Sequence, residues 1–502
     1  MRAGRRYAKN DVNRRLERKP DAVMGKIKTF CGRFWVQVGA VCLVAVLAVA
    51  ARQLLLPGHG PRAQISPFFS LVHFHFGWYT FVPPLAFAAF MLPLRWALRR
   101  PPAAKLFYLA LAFFAFTTTV NMAGGGPIKI LPGALWQYAY DAQELYAHGN
   151  FLRDYHLHVV GMHWHTTVHP PGVFVCLYPL LNLVGDRWMW VALLNALVAG
   201  AGVAFVYKAA ELIYGIDAGD GAAALYVTTP SLILYGSTVD AVLCALGAAV
   251  VYLLALYFSR GRFAYAALTG IAIAAGTFVA YQFGFIWVLL ALWSLLYVLR
   301  RRKGERGEEP AAAGRVLSAG RLAALGATAA ATFALFFVGV YAFSGFNVLT
   351  EFQYQQRASE RYFGAGGNVV YWAKRLFFNA PAYPTKHRSY LMWMPGNVVA
   401  FFTLLGPPTT VLFLRNLWKE LKEKKAGRLA LISAAAALSF ALVNLLGFTL
   451  AETERVWLFM VPWFLVGAGY YLKKEAGRFF YPALLFNLAL AFLFVIFFYH
   501  VK

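Results

Sequence analysis

Residues 136–172 read WQYAYDAQELYAHGNFLRDYHLHVVGMHWHTTVHPPG, and apolar runs flank them on both sides. The stretch carries two Asp, one Glu and six of the chain's eleven histidines: His148, His156, His158, His163, His165 and His169. Side chains this polar cannot lie in hydrocarbon. The segment therefore reads as a water-facing loop between membrane spans, and loops of this kind on a rigid scaffold are where function concentrates.

The rest of the 502 residues agree. The composition is 60% hydrophobic and 17% aromatic with only 14% charged residues, and the mean hydropathy is +0.56. These values describe a polytopic α-helical membrane protein with room for about a dozen spans of ~20 residues and two sizeable loops. The net charge of +26 is spread as short Lys/Arg clusters between apolar runs. That pattern fits anchoring at anionic lipid faces rather than nucleic acid binding. The four cysteines, Cys31, Cys42, Cys176 and Cys244, form no disulfide framework or CxxC site.

Residues 1–33 hold eleven Lys/Arg against three acids and form a basic cytoplasmic tail; 34–502 form one transmembrane domain. Spans at 34–56, 76–94 and 106–123 then place the loop 124–170 outside. The basic connections 300–321 and 415–428 belong inside, which leaves 345–395 and the turn 451–455 outside. Both assignments hold only if one apolar run does not cross. The run 171–185 is short and contains Pro179, so it reads as re-entrant. The other crossings fall at 188–210, 220–236, 238–258, 263–281, 283–299, 322–344, 396–414, 429–449, 456–472 and 479–499. Thirteen spans result, with the N-terminus inside and the C-terminus outside. No internal repeat is visible, which disfavours an inverted-repeat transporter.

Residues 135–148 lack Gly and Pro, so a helix there would align Asp141, Glu144 and His148 along one face. Pro170 and Pro171 push His169 toward an extended conformation and begin the helix that follows. A loop with Asp141 and Tyr146 (DAQELY), a return through HPPG at 169–172 and a later acid, Asp240 in YGSTVDAV, resembles the GT-C superfamily of membrane glycosyltransferases, nearest the protein O-mannosyltransferase and aminoarabinose transferase relatives. Where that family often carries Asp-Glu, this chain has Asp141-Ala142, and two spans precede the usual first one.

The resemblance implies transfer of a sugar from a polyprenyl-phosphate donor to a hydroxyl of a lipid, glycan or protein acceptor at the extracytoplasmic face, in contact with membrane lipids. Such a reaction needs a carboxylate to take the acceptor proton and positive charge beside the departing phosphate. Asp141 is the first candidate base and Asp154 the reserve; the plainer role for each is a solvated acid, with Asp154 paired to Arg153. Glu144, Tyr146, His169 and Asp240 are candidate substrate-binding residues. The excess cations of the second loop, Arg357 and Arg361 among them, fit an anionic partner or lipid headgroups. Glu454 and Arg455 sit in the tight outer turn AETERVW, where a guanidinium can grip phosphate oxygens or merely pair with Glu452. The histidines could bind a divalent ion, but no ligand spacing such as HExxH is present, and the expectation is no metal and no cofactor. A transporter or flippase of lipid-linked glycans and a non-catalytic subunit of an envelope assembly are the competing functions.

Overall fold

The computed structural model describes residues 33–50, 70–72, 76–124, 133–163, 166, 169–185, 189–302, 317–354, 390–422, 431–447, 449 and 453–500. Arg357, Arg361, His165 and Glu452 lie outside these residues. The chain is a helical membrane protein. In order, it runs through α1 (Arg33–Ala50), a short strand β1 (Ser70–Val72), a 3-10 turn leading into α2 (Val82–Met91), α3 (Leu94–Ala97) and α4 (Pro102–Ala123). The polar segment then forms α5 (Gly133–Ala147), α6 (Tyr155–His158) and α7 (Gly172–Val184). After it come α8 (Met189–Tyr214), α9 (Ile216–Thr228), α10 (Pro230–Tyr235), α11 (Val239–Arg260), α12 (Phe263–Val279), α13 (Ile286–Arg302) and α14 (Ala319–Ser344). The last part holds α15 (Tyr390–Leu405), α16 (Pro407–Lys422), α17 (Ile432–Leu446), α18 (Thr453–Val456), α19 (Val461–Lys474), α20 (Phe480–Phe497) and a strand β2 (Phe498–His500).

Among the described residues, eight helical segments are long and apolar enough to cross a bilayer, or nine if α15 and α16 count as one span bent by 104°. The difference from thirteen apolar runs has a local cause. The run 220–236 breaks between α9 and α10 at Thr229-Pro230, and the run 456–472 is interrupted by a 3-10 turn before Pro462. α12 and α17 have 17 and 15 residues. At 1.5 Å per residue they rise only about 22–26 Å against ~30 Å of hydrocarbon. α7 has 13 residues, or about 20 Å of rise.

Helix ends follow from sequence. Ser318 caps α14 by accepting a hydrogen bond from the Arg321 backbone N–H at 3.2 Å, and Gly345 ends it in the left-handed conformation, φ +76°. The helices pack through small residues: Gly221 on α9 meets Gly469 on α19 so closely that a Cβ on either would overlap the other helix's backbone. The β1–β2 pairing, antiparallel with Ser70 opposite His500, is a feature the helical reading did not anticipate. It satisfies backbone groups just beyond the end of α20.

Polar contacts gather at the two ends of the bundle. At one end a buried Lys105–Asp220 pair (2.5 Å) joins α4 to α9, Tyr214 donates to Glu420 at 2.5 Å, and Lys419 meets Glu475 at 2.7 Å. At the other, Asn195 donates to the Ser237 carbonyl at 3.1 Å, and Asn397 reaches Asn444 at 3.0 Å. The polar segment builds a small core of its own at this second end, from Tyr138, Leu145, Phe151, Tyr155, Phe174 and Leu177, packed against α12 and α14.

Candidate active site

α5 turns Tyr138, Ala139, Asp141, Ala142 and Leu145 inward and leaves Tyr140, Glu144 and His148 exposed. Asp141 and Glu144 therefore do not share a face. A carboxylate buried to 2% exposure must be satisfied by donors. Asp141 finds them 22 and 25 residues later. Its Oδ2 accepts from the His163 backbone N–H at 3.1 Å and from the Thr166 hydroxyl, and its Oδ1 lies 2.7 Å from His163 Nδ1. The Thr166 N–H closes the intervening turn onto the His163 carbonyl at 2.9 Å.

Tyr155, fully buried on α6, donates to the His169 carbonyl at 2.8 Å. Burial, followed by the nearby negative charges of Glu351 and Asp141, pushes its hydroxyl well above the usual tyrosine range, so it stays a neutral donor. Glu351 is 2% exposed and lies in helical residues 348–354.

His169 rests its ring edge-on against Tyr138 (5.3 Å between centroids), with Nδ1 3.2 Å from the Val279 carbonyl at the end of α12. A carbonyl only accepts, so Nδ1 carries the hydrogen and Nε2 keeps its lone pair. Burial, and secondarily the Arg455 charge, pushes this imidazole down to about 4 even though the Val279 bond works the other way. His169 is therefore neutral at neutral pH and presents an acceptor, not a cation. The positive charge nearby comes from Arg455 on α18, whose Nε lies 3.6 Å from Asp240 Oδ2 at the start of α11, with 12% and 13% of the side chains exposed. Glu454, next to it, is buried.

Residues 168–308 match the family model for dolichyl-phosphate-mannose-protein mannosyltransferase. The match begins one residue before His169 and includes Asp240, and it supports a GT-C glycosyltransferase of the mannosyltransferase type on a multi-pass membrane chain. No curated protein matches the chain significantly. Of the residues described above, His169, Asp240 and Val279 fall inside the matched segment, Asp141 precedes it, and Glu351 and Arg455 follow it.

Other candidates are placed differently. Asp154 is exposed at the start of α6, with no side-chain cap bond. Tyr146 stacks flat on Tyr178 of α7, 3.5 Å between centroids, and so fastens α5 to α7. His148 stacks on His158, and His156 lies beside Tyr354. Among the described residues, no group of three or more His, Cys, Asp or Glu is arranged to hold a metal ion.

Glu351, Tyr155 and Thr166 were not singled out from sequence. Glu351 opens the segment 345–395, in which six Lys and Arg stand against two acids. The one available signal was that it lies seven residues beyond the end of α14, where a carboxylate sits near the membrane surface.

Proposed function

We propose that the protein transfers a sugar from a polyprenyl-phosphate donor to a hydroxyl acceptor at the extracytoplasmic membrane face. The observation that carries this is the buried carboxylate of Asp141, held by His163 and Thr166 in the polar segment whose Tyr155 bonds the His169 carbonyl at the start of the mannosyltransferase-type match. Removal of the acceptor proton depends on Asp141. Arg455, held by Asp240, steadies the phosphate as negative charge develops on it. His169 and Glu351 orient hydroxyls, and Arg357 and Arg361 join the donor's anionic group from the second loop. Asp154 remains the reserve base. Support for the extracytoplasmic face comes from charge: Arg99, Lys105, Arg260, Arg321 and Lys473 belong to the opposite end of the bundle, the pattern of a cytoplasmic surface.

Incubating the purified protein in lipid nanodiscs with radiolabelled polyprenyl-phosphate mannose, then other polyprenyl-phosphate sugars, and membrane acceptors should give a labelled product and free polyprenyl phosphate. Donor crossing the bilayer of proteoliposomes without any bond formed would instead mark a flippase. In cells carrying a cysteine-free variant, single cysteines at 150 and 347 should react with an impermeant maleimide added outside, and one at 308 should not. Outside labelling at 308 would reverse the assignment of faces.

A further inference from the structure

The Asp141–His163 pair is asymmetric, and the asymmetry bears on the transfer reaction proposed above, on which this inference rests. The His163 side chain is 32% exposed and the Asp141 side chain 2%. An ionised carboxylate only accepts hydrogen bonds, so at 2.7 Å from Asp141 Oδ1 the Nδ1 of His163 must carry the hydrogen. That fixes the tautomer and leaves the lone pair of the neutral ring on Nε2. The other Asp141 oxygen already accepts from the His163 backbone and the Thr166 hydroxyl. Tyr140 meets the His163 ring edge-on at 5.4 Å.

We infer that His163 Nε2, not an Asp141 oxygen, takes the proton from the acceptor hydroxyl, and that Asp141 is the positioning residue that fixes the ring. A buried acid orienting a partly exposed imidazole is an arrangement suited to general-base catalysis, because the acid also stabilises the imidazolium that forms. As the acceptor oxygen bonds to the anomeric carbon, the bond from that carbon to the phosphate oxygen breaks and its electron pair leaves with the phosphate. The hydroxyl proton passes to Nε2, and the imidazolium then releases it to water.

The test compares His163→Ala and His163→Asn with the full-length parent, using radiolabelled polyprenyl-phosphate mannose for both donor affinity and turnover. Asn places an amide near the position of Nδ1, where it can still donate to Asp141 and anchor the loop, but it offers no basic nitrogen. His163→Ala should turn over about 10²-fold more slowly, the lower end for a lost general base because the uncovered Asp141 can act through water, and His163→Asn, which keeps Asp141 covered, about 10²- to 10⁴-fold more slowly. Donor affinity should stay within about threefold of the parent, and added imidazole should restore part of the His163→Ala rate. A His163→Asn enzyme at the parent rate would show that His163 only anchors the loop. A His163→Ala enzyme within about threefold of the parent, or one whose loss is all in donor affinity, would also overturn the assignment. A parent that transfers no sugar from any donor would instead overturn the transferase reading itself.

Discussion

Asp141→Asn should slow turnover about 10⁴-fold, the usual consequence of neutralising a carboxylate that orients a basic imidazole. The fold should persist, because the Asn carbonyl can still accept from the His163 backbone N–H that now bonds Asp141 at 3.1 Å. What changes is the face shown to the ring. An amide N–H directed at Nδ1 favours the opposite tautomer, which places a hydrogen on Nε2 and removes its lone pair. Donor affinity should be nearly unchanged, so the loss falls on kcat. Stopped-time transfer assays beside donor binding by equilibrium dialysis would check this, with thermal unfolding as the measure of folding. A folded Asn variant working within about threefold of the parent would remove Asp141 from the chemistry and bring Asp154 forward.

Arg455 carries the second large effect. Its guanidinium lies 3.6 Å from Asp240, both side chains are mostly enclosed, and its charge is felt at His169. Arg455→Gln should lower turnover about 10³-fold, as loss of a preorganised stabiliser of developing negative charge does. Arg455→Lys should fall between the two, since an ammonium keeps the charge but not the planar pair of donors. Removing the cation alone also leaves Asp240 enclosed without it, a change that destabilises by about 3–5 kcal/mol where a pair is fully buried. The double variant Arg455→Gln/Asp240→Asn restores neutrality and separates folding from catalysis. Arg361→Gln from the second loop serves as the comparison. Arg455 variants that match the parent in donor affinity and turnover would move the phosphate site to the cations of 357–388.

Much of this was legible in the sequence, for reasons that differ by residue. Asp141, Asp240 and Arg455 are ionisable groups beside long apolar runs, and a charge there is expensive enough to be informative. Pro170 and Pro171 announced the abrupt start of α7. The bond between Asp141 and His163 could not be read, because neither helical nor strand periodicity relates residues 22 apart through a turn. Glu351 was hidden by its neighbourhood: in a loop rich in Lys and Arg an acid looks like a surface partner, and only its burial distinguishes it. Hydropathy also counts apolar residues without weighing the prolines among them. Hence 396–414 read as one straight span, although Gly406 and Pro407 bend it by 104°.

The junction between α7 and α12 has a mechanical consequence. A Cβ on Gly172 would overlap the Phe278 carbonyl, so the two backbones touch just where His169 bonds Val279. α12 is locked in turn to α14, where Gly270 faces Ala329 and Thr332, and the chain leaving α14 at Gly345 leans on Arg153 beside α6. These contacts join α6, α7, α12 and α14 into one braced wall, like members of a truss. That wall cannot swing outward as a lid without parting backbone from backbone. On this side, any group that binds meets a preformed surface rather than one assembled by closure.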